Sequence, residues 1–154
     1  MKSNKLAQVA LLLWILTIAV FAWFFIRGNT TAGTDGRAAI ILQPGERDFV
    51  MKEMRGLLAA TQGITEGASQ GDMARIVKAA RSAGLAGTAE VNPTLMTKLP
   101  IDFKRLGMSL HGDMDEIANA AESGKPVPEV LKMTSMALTK CVNCHAAWQI
   151  KAAN

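Results

Sequence analysis

The sequence predicts an all-α protein: an antiparallel four-helix bundle preceded by an N-terminal transmembrane helix. Three observations lead there. Residues Leu6 to Ile26 are apolar apart from Gln8 and Thr17. From Val50 to Ala121 the apolar residues recur at spacings of three and four, the period of helices with one buried face. Gly- and Pro-containing breaks separate these stretches, with no alternating strand pattern between them.

The first stretch holds 21 residues, which as a helix rise about 31 Å and match a hydrocarbon core of roughly 30 Å. Lys2 and Lys5 precede it, so the excess of positive charge places the N-terminus in the cytoplasm and everything after Arg27 outside. Trp23 falls near the outer boundary, where an amphipathic ring is favoured. A cleaved signal peptide is the competing reading. It would need a shorter apolar region followed by small residues; Phe24-Phe25-Ile26-Arg27 is a poor cleavage site and Thr30-Thr31-Ala32 a weak one.

Residues 28–44 read as a linker. As a flexible coil they span roughly 23 Å and at most about 60 Å, enough to let the following domain move beside the membrane. The apolar patch Ala38 to Leu42 inside the linker is expected to pack on the domain. The organisation is therefore 1–27 cytoplasmic tip and anchor, 28–44 linker and 45–154 helical domain.

Four helices follow. The first spans about Glu46 to Ser69, with Val50, Met54, Leu57, Thr61 and Ile64 along one seam. The second spans about Asp72 to Ala83, with Asp72 as N-cap and Gly84 as stop. A loop from Leu85 to Pro100 carries a helical turn near Leu95. The third runs from about Asp102 to Ser123, turning Phe103, Leu106, Leu110, Met114, Ile117 and Ala121 inward. Gly124-Lys125-Pro126 breaks it, and the fourth runs from Pro128 to Ile150. Of eight aromatic residues, five lie in the apolar N-terminal stretch. A core this poor in rings, and rich in Ala and Gly, leaves room for a bound group.

Charge narrows the partners. Lys2, Lys5 and Arg27 flank the membrane stretch, which leaves 14 basic against 13 acidic residues elsewhere. No basic stripe with interleaved aromatics is present, so nothing points to nucleic acid.

The chemistry lies near the C-terminus, in Cys141-Val142-Asn143-Cys144-His145. C-x-x-C-H is the attachment signature of c-type haem. Two thiols three positions apart on a helix can each add to a vinyl group of one porphyrin, and the adjacent imidazole of His145 then supplies the proximal iron ligand. Both cysteines of the chain are used here. A redox dithiol would want the motif opening a helix in a βαβ unit. A zinc site would need further Cys or His ligands, and the other histidine is His111, beside the buried stripe of its helix and expected at the surface or hydrogen-bonded.

Four helices with C-x-x-C-H late in the last resemble the cytochrome c′/cytochrome c-556 family, over about Glu46 to Ile150. The resemblance implies one covalently attached haem c and an electron-carrying rather than enzymatic role; the chain departs from the usual soluble members by its anchor, which argues against a freely diffusing carrier and, with the orientation above, for a bacterial inner-membrane protein whose haem domain is periplasmic. It also implies a choice on the distal side of the iron. Low-spin members place a Met of the first helix there, which in this chain is Met54, with Met51 one turn away as the alternative. High-spin members leave the position vacant and bind small gases. Met133 and Met136 share the proximal helix, and Met108 and Met114 lie on the third. Arg47, Lys52 and Arg55 are candidates to pair with haem propionates. The implied partners are the membrane itself and a redox protein or membrane complex, which the anchor would hold close. A haem-bearing accessory subunit of a larger complex is the remaining alternative.

The mature, membrane-extracted protein is expected to keep residues 1–27, because the apolar stretch is long and lacks a good cleavage site. Intact mass or N-terminal sequencing checks this; a chain beginning near Gly33 would refute it.

Overall fold

The computed structural model describes residues 4–153, apart from the side chains of residues 89 and 90; Lys2 lies outside the described residues. The chain is mostly helical. In order it forms α1 (Lys5–Arg27), β1 (Thr30–Ala32), β2 (Ala38–Leu42), α2 (Pro44–Gln70), α3 (Met73–Arg81), a 3-10 turn (Leu85–Glu90), α4 (Pro93–Lys98), α5 (Ile101–Glu122), α6 (Val127–Ala147) and β3 (Trp148–Ala152).

Helix α1 buries none of its residues against the rest of the chain, and it is long and apolar enough to cross a membrane or to act as a signal sequence. It ends at Gly28, whose φ of 65° and ψ of −168° fall in a region open essentially to glycine alone. A Cβ at Gly28 would also lie 2.5 Å from the Lys98 carbonyl oxygen and 2.6 Å from the Pro100 nitrogen. The Asn29 N–H donates to the Lys98 carbonyl at 2.7 Å. The Lys104 ammonium sits 3.9 Å from the centre of the Phe25 ring. The apolar helix therefore runs straight into the domain, and the mobile tether expected over 28–44 is replaced by a docked joint.

The helices match the sequence reading closely. In α2, Val50, Leu57, Ala60 and Ile64 are buried while Met54 and Thr61 are half-buried along the same seam. Its start is fixed by Pro44 and by Glu46, whose carboxylate accepts the Gln43 N–H at 2.9 Å, the reciprocal arm of a capping box. Lys98 also donates to Glu46, at 2.6 Å. That ammonium, and secondarily the Gln43 N–H, holds the Glu46 carboxyl below its usual range. Asp72 caps α3 by accepting the Arg75 N–H at 2.9 Å. A Cβ at Gly67 would lie 2.8 Å from Ile76 Cγ1, so glycine sets how closely α2 and α3 approach. The helical turn expected near Leu95 is α4, capped by Asn92. The buried face of α5 carries Phe103, Leu110, Met114, Ile117 and Ala121, with Leu106 half-buried.

The all-α expectation needs correction, because the chain also builds a small sheet of order β1-β2-β3. Strands β1 and β2 form an antiparallel hairpin inside the presumed linker, with Thr30 opposite Ile40 and Ala32 opposite Ala38. β2 then pairs in parallel with β3, from Ala38 opposite Trp148 to Leu42 opposite Ala152. The last helix consequently ends at Ala147 rather than Ile150. The physical reason is burial: Ala39, Ile40 and Leu42 are almost wholly buried, and a short central strand reads as a continuous apolar run without alternation. A parallel pair needs a long crossover, and here that crossover is the whole of 43–147.

Helix α2 packs on α3, α3 on α5, and α5 on α6, whereas α2 and α6 touch sparsely. The core divides in two. One cluster, built largely of Ala with Leu57, Ile64, Ile76, Met114, Ile117 and Val130, lies among α2, α3, α5 and α6. The other gathers Ile40, Leu42, Val50, Leu95, Leu99 and Phe103 at the sheet end. Met54 packs against both.

Because Ile40 is fully buried on the central strand, Ile40→Ala is expected to cost about 2–5 kcal/mol in urea unfolding. Met136→Ala on the exposed side of α6 should fall within about 0.5 kcal/mol. Comparable effects from the two would mean that 38–42 is a linker after all.

Candidate functional site

Cys141, Cys144 and His145 lie in the last two turns of α6, at offsets of three and four that bring them to one side of the helix. Both thiols are half-buried and the imidazole is exposed. All three line one cavity of about 680 Å³, within the roughly 300–1,000 Å³ of cofactor sites. The opposite wall is α2, with Val50, Met51, Met54, Leu57 and Thr61. Leu95 and Met96 of α4, Leu99, and Phe103, Leu106 and Leu110 of α5 complete a mostly apolar lining. The cavity explains the sparse contact of α2 with α6: their facing sides are held apart by it.

The thiols are in an environment that disfavours the thiolate. Burial pushes the Cys144 thiol up to about 11, and the neighbouring Cys141 adds to the effect; burial raises Cys141 as well. A redox or nucleophilic cysteine is tuned the other way, at the N-terminal end of a helix or beside a cation. Here both stand near the C-terminal end of α6, where the helix dipole is negative. The cavity sets two thiols and an imidazole of α6 across from the Met51 and Met54 thioethers of α2, among mostly apolar side chains.

The sequence-predicted residues are brought together unequally. Met54 and its alternative Met51 both line the cavity and both are half-buried. Met114 is buried in the helical core and Met136 is exposed, and neither lines it. Arg55 lines the cavity, Lys52 does not, and Arg47 is paired with Asp48 at 3.1 Å. His111 lines it too, with Nδ1 2.8 Å from the Ala83 carbonyl oxygen, the hydrogen-bonded role expected for it.

Sequence reasoning missed two groups. Met96 and Lys104 reach the cavity from regions treated as loop and as helix surface. The other group is a clamp on the end of α6. Arg37 donates through Nη1 to the carbonyl oxygens of His145 at 3.2 Å and Trp148 at 3.5 Å. Its Nε and Nη2 both reach Asp35 Oδ2, at 2.8 and 2.6 Å, and Gln149 donates to Asp35 Oδ1 at 2.8 Å. The carboxylates and carbonyls at a helix C-terminus favour a cation there. The signal that could have found this turn is Asp35-Gly36, a hairpin dipeptide between two short runs, with Asp35 also accepting the Arg37 N–H at 3.1 Å. Phe103 and Trp148 meet edge to face at 5.8 Å and close the same end.

Compared with known proteins, the chain matches no family model, no curated protein and no solved structure.

Arg37→Ala should speed amide exchange at Trp148 to Ala152 while leaving the helical circular dichroism intact; unchanged exchange would remove the clamp. The pH dependence has a definite sign. The Arg37 guanidinium holds the Asp35 carboxyl below its usual 3.8, so the pair contributes fully above that value and is lost as the pH falls through the folded-state value. The urea midpoints of wild type and Arg37→Ala should therefore keep a constant gap above pH 3.8 and converge only below it.

Proposed function

We propose that the chain is a membrane-anchored c-type cytochrome that passes single electrons and is not an enzyme. The observation that carries this reading is the convergence of Cys141, Cys144, His145 and Met54 on one largely apolar cavity between α6 and α2. In this reading α2, α3, α5 and α6 form an antiparallel four-helix bundle of the cytochrome c′/c-556 kind, wedged open by its cofactor. The anchor places the N-terminus in the cytoplasm and the haem domain in the periplasm of a bacterial inner membrane.

Haem c, when bound, supplies a reversible one-electron couple at iron. The residues of the chain do the rest. The Cys141 and Cys144 thiols would hold the group as thioethers, each S–H adding across one vinyl double bond with no net oxidation. His145 would supply an imidazole ligand to the iron, and its backbone carbonyl accepts a hydrogen bond from Arg37. Met54 offers its thioether from α2, a soft ligand that favours reduced iron. The apolar walls would lower the local dielectric around the bound group and so strengthen the effect of nearby charges. A docked α1 would hold this site beside a membrane redox partner and raise its effective concentration.

Denatured protein is expected to retain its haem through organic extraction, and haem that extracts freely would overturn the attachment. Met54→Ala should open the sixth position, turn the spectrum toward high spin and admit carbon monoxide, with a fall in potential; Met51→Ala should leave the spectrum nearly unchanged. The reverse pattern would move the ligand one turn along α2. Wild-type protein that is already high-spin and binds carbon monoxide readily would replace electron transfer by gas binding.

A further inference from the structure

Four Lys, Arg or carboxylate side chains line the cavity, and one of them, the half-buried Glu53, carries the sign that would repel an anion. Lys140 pairs with Asp113 at 2.6 Å, and Arg55 is exposed. Lys104 is different. It is half-buried, it lines the cavity, and among the described residues no carboxylate lies within ion-pair distance of it. Its ammonium has two neutral neighbours, the Met96 carbonyl oxygen at 3.2 Å and the face of Phe25 at the membrane end of α1. A carbonyl and a ring stabilise a cation only partly, and a half-buried cation without a counter-charge carries a desolvation cost that an anion would offset.

We propose that Lys104 is the residue that receives the anionic group of the cavity's ligand, held for that purpose between Phe25 of the apolar helix and α4. The inference rests on the haem reading above, in which the anion is a propionate carboxylate on an otherwise apolar ring. Lys104 then acts on the iron through charge. A cation near the ring favours the form with one more electron, and a propionate left unneutralised favours the form with one fewer. The same contact links the cofactor to the anchor, since Phe25 belongs to α1.

The test uses the full chain in detergent, with haem content and absorption spectrum measured first and the midpoint potential by redox titration second. Lys104→Met and Lys104→Gln are expected to keep the wild-type spectrum and show a lower potential, and Lys104→Arg to keep the wild-type value. If a neutral variant loses haem while Lys104→Arg retains it, the requirement for charge is equally supported. Neutral variants at the wild-type potential would overturn the proposal. So would loss of haem from all three variants, which marks Lys104 as structural. Wild-type protein without haem fails at the first measurement and overturns the haem reading together with this inference, whereas a failure confined to the variants leaves that reading standing.

Discussion

The parallel pairing of β2 with β3 is the constraint on which the rest of this structure depends. β2 lies just after the apolar helix and β3 just after the C-x-x-C-H helix, so their ladder ties together the two ends of the folded domain. Closing a loop of this length is entropically costly, yet the cost grows only slowly with length. It is offset by the burial of Ala39, Ile40 and Leu42 in the sheet-end core with Leu95, Leu99 and Phe103. Once the ladder forms, α6 must stop at Ala147, and the Trp148 N–H closes the helix on the Cys144 carbonyl. The motif is thereby held at a fixed height above α2.

Below the sheet, the helical core is dominated by small side chains. Ala60, Ala80, Ala118, Ala121 and Ala137 let α2, α3, α5 and α6 come close on one side. Close approach on that side leaves the other side, between α2 and the end of α6, unfilled by protein. The recess of about 680 Å³ is walled mostly by apolar groups and partly open, with Leu58 and His145 exposed along it, and in the proposed reading it is where the cofactor sits. Its position over two thiols and an imidazole gives that site a chemistry. The same thiols, lifted by burial, are poorly suited to redox exchange.

The joint between α1 and the domain changes how such a protein would work. A tethered carrier searches for its partner over the reach of its linker. Here Gly28 abuts the backbone of Lys98 to Pro100, and Phe25 meets Lys104, so the orientation of the cavity relative to the apolar helix is set by contact. In the proposed reading the protein presents its redox group at one height above the membrane, which suits a fixed partner better than a diffusing one.

Much was legible in the sequence because it is encoded locally. The apolar stretch, the seam through Val50, Leu57 and Ile64, the Asp72 cap, the break at Gly124-Lys125-Pro126 and the C-x-x-C-H spacing each state their meaning within a few residues. What the sequence could not disclose were contacts between segments far apart in the chain. Ala38 to Leu42 is an apolar run until β3 lies beside it, and Trp148 to Ala152 continues a helix until β2 gives it a ladder. Asp35-Gly36 could have signalled a turn, but nothing local says that Arg37 reaches the end of α6. The separation of α2 from α6, the half-buried Lys104 and the place of Met96 likewise follow from packing. Periodicity and capping residues determined the helices, and the motif spacing set two thiols and an imidazole on one side of the last; tertiary structure decided where the chain closes and which side chains share the cavity, because burial and long-range pairing depend on every segment at once.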